Sequence, residues 1–78
     1  MTCRDEVLEA MERLERRTRR QEIPLAEIVQ EVLGGGGDYK ESTIRTHITS
    51  RMCIDAPANH ATRYPDLRRV GHAIYRRV

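Results

Sequence analysis

Apolar residues recur at helical spacing along the first third of the chain. Val7, Met11 and Leu14 fall at i, i+4 and i+7, which places them on one face of a helix. Acidic residues crowd the start of this segment and arginines its end, an order that suits the helix dipole. The pattern predicts a first helix over about residues 2–20.

A second apolar helical segment follows Pro24. Proline suits the first position of a helix, where its missing N–H has no intrahelical partner. The apolar face behind it consists of Leu25, Ile28, Val29, Val32 and Leu33. Four consecutive glycines at residues 34–37 stop the helix, and we expect one of them to adopt the left-handed conformation there. The second helix is therefore predicted over about residues 24–33.

A third helix is predicted over about residues 41–53. Ile44, Ile48 and Met52 repeat every four residues and define its buried side. At 100° per residue, short hydroxyl side chains dominate the opposite side. They are Ser42, Thr46, Thr49 and Ser50, with Thr43 and Arg45 on the flanks. Threonine and serine are poorer helix formers than the glutamate, lysine or glutamine of an ordinary solvated face, so this composition indicates contact with a partner.

Three further positions follow from the same helical geometry. Ser42 or Asp38 is expected to cap the start of the helix. Arg51 falls on the buried side, so it is expected to pair internally or to lie along the core rather than to contact DNA. Cys53 falls on the outward, hydroxyl-lined side.

The C-terminal segment has the pattern of a short β-hairpin. An irregular loop over residues 54–66 precedes it, and the hairpin, or wing, is predicted over residues 67–78 with turn chemistry at Gly71-His72. Its apolar positions are Leu67, Val70, Ile74, Tyr75 and Val78. Its exposed positions are predicted to be basic: Arg68, Arg69, Arg76 and Arg77, with His72 at the tip.

Charge is distributed unevenly between the two halves of the chain. Residues 1–40 carry seven basic and nine acidic side chains, whereas residues 41–78 carry seven arginines against three acids. Thirteen of the 14 basic residues are arginines, whose planar guanidinium suits phosphate and base edges. The basic half indicates a polyanionic partner. The arginines that end the first helix are instead interpreted as a solvated end, neutralised in part by Glu12 and Glu15.

The order of elements, two helices, a tight connector, a hydroxyl-faced helix and a basic hairpin, resembles the winged helix-turn-helix. In sequence the resemblance concentrates in YKESTIRTHITSRM (residues 39–52) and LRRVGHAIY (residues 67–75). Both look like segments of small bacterial winged-helix domains, some stand-alone and some associated with nucleases. The chain departs from them at His72-Ala73, where Arg-Gly is more usual. The resemblance implies a mainly α, α+β fold of three helices and a two-stranded wing, as one domain over residues 1–78.

That fold implies binding of double-stranded DNA. A major groove about 12 Å wide admits one helix, so the 41–53 helix is predicted to enter it, with Arg45 bidentate to a guanine. Lys40 suits a phosphate clamp, and the 67–78 wing would lie on the backbone or in the minor groove. The residues predicted to contact DNA are Lys40, Ser42, Thr43, Arg45, Thr46, Thr49, Ser50, Arg68, Arg69, His72 and Arg76. The expected role is a bacterial or phage transcription regulator, or a targeting module.

Two other functions remain open. A winged helix can serve as a protein-interaction or dimerisation module without reading DNA, and the first helix could pair with a second copy through Val7, Leu8 and Met11. Double-stranded RNA is less favoured, because a helix does not fit its deep, narrow major groove.

Catalysis and membrane insertion are not predicted. No spacing brings together a Ser-His-Asp set or two carboxylates, and the dispersed residues His47, His60, His72, Cys3 and Cys53 form no paired metal-ligand pattern. We therefore expect no enzymatic activity, metal, cofactor or small-molecule substrate. No stretch approaches the ~20 apolar residues of a membrane span, and two cysteines are too few for a disulfide scaffold, so a cytoplasmic location is expected.

Overall fold

The computed structural model describes residues 2–54 and 64–78, and most of the predicted 54–66 loop lies outside them. The helices are α1 (Cys3–Thr18), α2 (Leu25–Gly34) and α3 (Glu41–Thr46), and a π-helical segment (His47–Arg51) continues α3 directly. We call α3 and this segment together the third helix. The strands are β1 (Ile23–Pro24), β2 (Leu67–Gly71) and β3 (Ile74–Arg77). Within the described ranges, no helix combines the length and apolar character needed to cross a membrane.

Helix α1 is closed at both ends by local hydrogen bonds. Thr2 and Asp5 form a capping box, in which the Asp5 N–H donates to the Thr2 hydroxyl and the Asp5 carboxylate accepts from the Thr2 N–H. At the other end Arg19 adopts the left-handed conformation, with φ 56°, and its N–H donates to the Glu15 carbonyl. The predicted limits of 2–20 are confirmed to within two residues.

Helix α2 begins one residue later than predicted. Pro24 lies in an extended conformation, with ψ 142°, and is the N-cap of the helix rather than its first residue. With Ile23 it forms β1, a two-residue strand that pairs with β3. At the other end Gly36 takes φ 84°, which confirms the left-handed glycine expected in the 34–37 run.

The three strands form one antiparallel sheet in the order β1-β3-β2. The two-stranded hairpin predicted from the sequence is thus extended by β1, and a further hydrogen bond from the Leu25 N–H to the Ala73 carbonyl prolongs the contact. The predicted fold class is confirmed. Three helices and a three-stranded sheet make a small α+β domain that is compatible with a winged-helix-like arrangement.

The hairpin turn lies one residue later than predicted. In the pairing of β2 with β3, Gly71 is opposite Ile74, so the two residues of the turn are His72 and Ala73. A register irregularity between Arg69 and Gly71 causes this shift, because a bulge uses one extra residue in one strand. Ala73 adopts a left-handed φ of 53°, a conformation that usually favours glycine.

Among the described residues, sixteen buried apolar side chains form one core between the helices and the sheet. They are Cys3, Val7, Ala10, Met11, Leu14, Ile23, Leu25, Ile28, Val29, Val32, Ile44, Ile48, Met52, Cys53, Leu67 and Tyr75. The apolar stripes that predicted the helices therefore all face this core. Leu33, also predicted for the apolar face of α2, is only partly buried against it.

The third helix ends in a π-helical turn. The Met52 N–H donates to the His47 carbonyl at 2.8 Å, five residues earlier, where an α-helix would bond four residues earlier. The helix therefore ends at Arg51, two residues before the predicted limit. Cys53 lies beyond it, buried, and forms a parallel bridge with Leu67. The prediction that Cys53 faces outward is wrong, because this residue no longer follows helical geometry.

Candidate nucleic-acid interface

The hydroxyl residues of the third helix lie at the surface, opposite its buried isoleucines. Ser42 and Thr46 are exposed, and Thr43, Thr49 and Ser50 are half-buried. None of the five belongs to the core. The hydroxyl side predicted from helical geometry is therefore accessible to a partner.

Two of these hydroxyl groups are used within the helix. The Thr46 Oγ1 donates to the Ser42 carbonyl and the Thr49 Oγ1 donates to the Arg45 carbonyl, each at 2.9 Å. A hydroxyl has a single hydrogen, so toward a partner these oxygens can only accept. Phosphate oxygens are acceptors as well, which makes the predicted phosphate contact unfavourable for Thr46 and Thr49 unless the internal bond breaks. Apart from this donated hydrogen bond, each side chain can offer a partner an acceptor oxygen and a methyl group.

Lys40 stands at the N-cap of α3 and is exposed. Its carbonyl accepts from the Ile44 N–H at 3.1 Å, but no side chain makes a capping hydrogen bond. The prediction that Ser42 or Asp38 caps the helix is wrong, because Ser42 is already its second residue and Asp38 precedes the N-cap by two. Within the described part of the chain, the Lys40 ammonium forms no ion pair.

Arg45 is held loosely by a neighbour on its own helix. Its Nε lies 3.1 Å from the Glu41 Oε2, and 45% of its side chain is exposed. An exposed pair at i,i+4 contributes only about 0.3–0.5 kcal/mol. The contact directs the guanidinium along α3 and can break at little cost.

Arg51 is exposed, so the prediction that it faces the core is wrong. Arg51 ends the π-helical segment, whose turn takes more residues than an α-helical turn, so its side chain does not follow the 100° per residue used in the prediction. Arg51 lines a shallow depression together with Ser42, Thr43, Thr46 and His47. Arg51 therefore adds a positive charge to the hydroxyl surface. The sequence did not predict Arg51 as part of that surface. His47 is half-buried, and its Nδ1 lies 3.0 Å from the Thr43 carbonyl.

The arginines of the hairpin lie on two faces of the sheet. Arg68 and Arg76 are direct cross-strand partners, on the face opposite to buried Tyr75. Arg69 is paired with Tyr75 and so lies on the other face, where it is exposed near the turn. Its Nε donates to the Gly71 carbonyl at 3.2 Å. His72 is exposed in the turn itself, as predicted.

Two hairpin arginines contact α1 or the residues that follow it. The Arg76 Nη2 donates to the Gln21 Oε1 at 3.1 Å, and Arg76 is half-buried. Arg77 forms two hydrogen bonds with the Glu15 carboxylate, which raises the pKa of its guanidinium. Arg77 is thus a structural cation, whereas Arg76 meets a neutral amide and keeps its charge uncompensated.

Ion pairs are concentrated on the first two helices. The pairs of the described residues are Arg4–Asp66, Arg13–Glu31, Arg16–Glu12, Arg17–Glu31, Arg20–Glu27, Arg45–Glu41 and Arg77–Glu15. Cations that make no ion pair within residues 2–54 and 64–78 include Arg19, Lys40, Arg51, Arg68 and Arg76. The predicted neutralisation by Glu12 is confirmed for Arg16, but Glu15 pairs with Arg77 instead, and Arg17 and Arg20 are neutralised by Glu31 and Glu27 of α2. Most uncompensated positive charge belongs to the third helix and the hairpin.

Backbone hydrogen bonds join the end of the third helix to the base of the hairpin. The Leu67 N–H donates to the Met52 carbonyl and the Ile54 N–H donates to the Leu67 carbonyl, each at 2.8 Å. The Tyr64 N–H donates to the Arg51 carbonyl at 2.6 Å. These contacts fix where β2 starts relative to the helix. That the two basic surfaces face one side of the molecule stays a prediction.

The predicted dimer contact on the first helix has little free surface. Val7 and Met11 are 0% exposed, because both belong to the core of the monomer. Leu8 is half-buried and packs against that core. Homodimerisation stays a prediction, but only Leu8 of these three residues could contribute accessible area to it.

Metal-ligating residues are not clustered in the described part of the chain. No group of three His, Cys, Asp or Glu side chains there is arranged to hold an ion. Cys3 and Cys53 are buried free thiols, and burial, together with nearby Glu6, raises the pKa of the Cys3 thiol. His60, one of the candidate ligands considered from the sequence, lies outside the described residues.

The described elements define the class of the protein: a small α+β domain with three helices and a three-stranded antiparallel sheet. The chain belongs to the family described as a domain of unknown function (DUF7669), whose model matches residues 2–77. No curated protein and no solved structure matches the chain.

Proposed function

We propose that this domain binds double-stranded DNA, with the third helix in the major groove and the hairpin on the sugar-phosphate backbone. The observation that carries the proposal is the separation of paired from unpaired cations. Arginines of α1 mostly meet carboxylates, while Lys40, Arg51, Arg68 and Arg76 make no ion pair among the described residues. Uncompensated like charges on the third helix and the hairpin of a small domain favour a polyanionic partner.

The third helix has the dimensions and chemistry for groove binding. An α-helix with its side chains is about 10–12 Å across, which matches a major groove about 12 Å wide. Its accessible side carries short hydroxyl residues, which allow close approach, and Arg45, whose fork can bond guanine O6 and N7. Lys40 and Arg51 are available for phosphates on either side of the groove.

The hairpin supplies the second contact. Arg68, Arg76 and the exposed turn residue His72 offer donors to phosphate oxygens, and Arg69 lies near the same turn. Contacts of this kind position a protein on the duplex without reading its sequence. Both a transcription regulator and a targeting module need such contacts, and both roles are compatible with the proposal.

The protein-interaction alternative draws less support from the surface. Among the described residues, the exposed large hydrophobic side chains are Tyr64, Val70 and Val78, and only Val70 and Val78 belong to the hairpin segment. Isolated apolar residues are normal on soluble domains, whereas interaction sites present contiguous patches. The third helix contributes none of them.

Fluorescence anisotropy with a labelled short duplex tests the proposal directly. We expect binding at about 50 mM salt, and affinity about 10³-fold or more weaker by 200 mM if six or more phosphates are contacted. Arg51→Ala should weaken binding about tenfold, whereas Arg16→Ala, the matched removal of an ion-paired arginine on α1, should leave affinity within about twofold. Duplex RNA of the same sequence should bind more weakly. Absence of binding at low salt, or equal weakening by both variants, would refute the proposal.

Selection from a random duplex library then defines the site. A winning palindrome would indicate a dimer and give its half-site spacing. Size-exclusion chromatography with light scattering, with and without the selected duplex, separates a DNA-induced dimer from a constitutive one. A constitutive dimer without DNA affinity would favour the interaction-module alternative.

A further inference from the structure

Arg68 and Arg76 form an unusual cross-strand pair. They are direct partners in the antiparallel register of β2 and β3, a position that brings Cβ atoms to about 4.5–5.5 Å. Like charges directly opposite each other destabilise a sheet. Neither guanidinium has an ion pair within the described residues, so no described carboxylate offsets the repulsion. An anion bound between the two side chains would offset this repulsion.

Two carboxylates that share a surface depression with Arg76 are already engaged. Glu15 and Asp66 line the same surface depression as Arg76. Glu15 accepts two hydrogen bonds from Arg77, and Asp66 accepts two from Arg4. Their side chains are only 19% and 13% exposed, which leaves little of either carboxylate for a second cation. Arg76 therefore keeps its full positive charge.

Gln21 holds Arg76 without neutralising it. The Gln21 Oε1 accepts one hydrogen bond from the Arg76 Nη2 at 3.1 Å. A glutamate at this position would orient the guanidinium equally well and would also cancel its charge. The neutral amide fixes the direction of Arg76 and leaves its other donors to an external acceptor.

We propose that Arg68 and Arg76 together bind a single phosphate, and that Gln21 is the positioning residue for Arg76. This inference rests on the proposed function, because the phosphate is a phosphodiester of duplex DNA. Arginine suits the task, since its donors match phosphate oxygens in two-point contacts. Two guanidinium groups on neighbouring strands give one phosphate donors from two directions, and the anion in turn removes the repulsion within the pair.

The test compares single and double variants in salt-dependent DNA binding. Each neutralised phosphate contributes about 0.9 to the slope of log K against log salt. If one phosphate is shared, Arg68→Ala and Arg76→Ala should each weaken binding about tenfold. The double variant should weaken binding by much less than the product of the two single effects, and it should lower the slope by about 0.9 in total. Lys40→Ala combined with Arg76→Ala is the control pair, and its two effects should multiply. If the two single effects on affinity multiply in the Arg68→Ala, Arg76→Ala double variant and the slope change doubles, the shared phosphate site is refuted. The proposed function would still stand.

Variants of Gln21 test the positioning role. Gln21→Glu should weaken DNA binding about as much as Arg76→Ala, and Gln21→Ala should weaken it less. Both effects should vanish in an Arg76→Ala background, which a role of Gln21 in general stability would not produce. Circular dichroism checks that each variant is folded. If the wild-type protein binds no duplex at all, both the proposed function and this inference fail.

Discussion

Arg77 of β3 and Glu15 of α1 are joined by two hydrogen bonds, from Nε at 2.8 Å and from Nη2 at 2.6 Å, across 62 positions of sequence. The pair ties the last strand to the longest described helix, at the edge of the core. Glu15 is only 19% exposed, so its carboxylate depends on this partner for much of its solvation.

Removing this arginine should destabilise the fold. We expect Arg77→Ala to lower the free energy of unfolding by about 1 kcal/mol, because both hydrogen bonds to Glu15 disappear, although the arginine is 41% exposed to solvent. Urea unfolding followed by circular dichroism measures the change. Arg16→Ala is the control, since its pair with Glu12 is more exposed and should contribute below about 0.5 kcal/mol. Equal effects of the two substitutions would contradict the structural role of Arg77.

Ala73 occupies a backbone conformation that glycine adopts more readily. Its φ of 53° costs an L-residue about 1 kcal/mol or more, and glycine avoids this cost. Ala73→Gly should therefore raise the free energy of unfolding by about 0.5–1 kcal/mol, although glycine also gains entropy in the unfolded chain. Ala26→Gly on the exposed side of α2 is the matched control and should lower stability by about 1 kcal/mol. A destabilised Ala73→Gly variant would contradict the strain assigned to the turn.

Glu31 links α2 to α1 through two arginines and should give stability a dependence on acid. Hydrogen bonds from Arg17, then Arg13, hold the pKa of its carboxyl below the ordinary value of 4.5. The folded-state pKa is thus the lower one, so the stabilisation is complete above pH 4.5 and disappears as pH falls through the folded-state pKa. Glu31→Gln should be less stable than wild type at neutral pH, and the difference should shrink at about pH 3. Urea titrations at both pH values measure this, with Glu9→Gln as an exposed control. A constant difference would show that the contact is not electrostatic.

Helices were the part of the fold that could be predicted from the sequence. Their apolar stripes record burial in one core, so spacing alone located α1 and α2 to within about two residues. Strand β1 could not be found in this way. Two residues contain no alternation, and Ile23 and Pro24 are a strand only because β3, about fifty residues later, pairs with them.

The wrong predictions at the candidate site also arose because local sequence patterns do not show how the folded chain is arranged. The exposed position of Arg51 depends on a π-helical turn, which a uniform 100° per residue excludes from the start. The Thr46 and Thr49 hydroxyls donate to backbone carbonyls of their own helix, which residue type alone does not show. Arg76 bonds a neutral amide and Arg77 a carboxylate, and both partners are distant in sequence. The side of the helix was predictable for the hydroxyl residues and the buried isoleucines but not for Arg51 or Cys53, and the partner of each side chain was not predictable.

Arg45 should determine base preference if the domain binds DNA as proposed. Its fork can bond guanine at two atoms, a contact that discriminates by about 1–3 kcal/mol. Arg45→Ala should lower affinity for the selected duplex by that amount and change affinity for unrelated duplexes much less. Competition binding with both duplexes measures the ratio, and Glu41→Gln, which frees Arg45 from its ion pair, should not lower it. An unchanged ratio in Arg45→Ala would remove Arg45 from base readout.

Thr46 and Thr49 should contact thymine methyl groups rather than phosphates. Their hydroxyls donate to the Ser42 and Arg45 carbonyls, so each presents a methyl and a lone pair. An A·T pair offers the matching groups in the major groove, the thymine methyl and the adenine amino donor. If a selected duplex contains A·T pairs at the helix, replacing thymine by uracil should weaken binding about fourfold for each thymine methyl removed from the interface. The double variant Thr46→Ser, Thr49→Ser keeps both hydroxyls, and it should bind the thymine and uracil duplexes equally. Equal binding of both duplexes by the wild-type protein would exclude the methyl contact while leaving DNA binding intact.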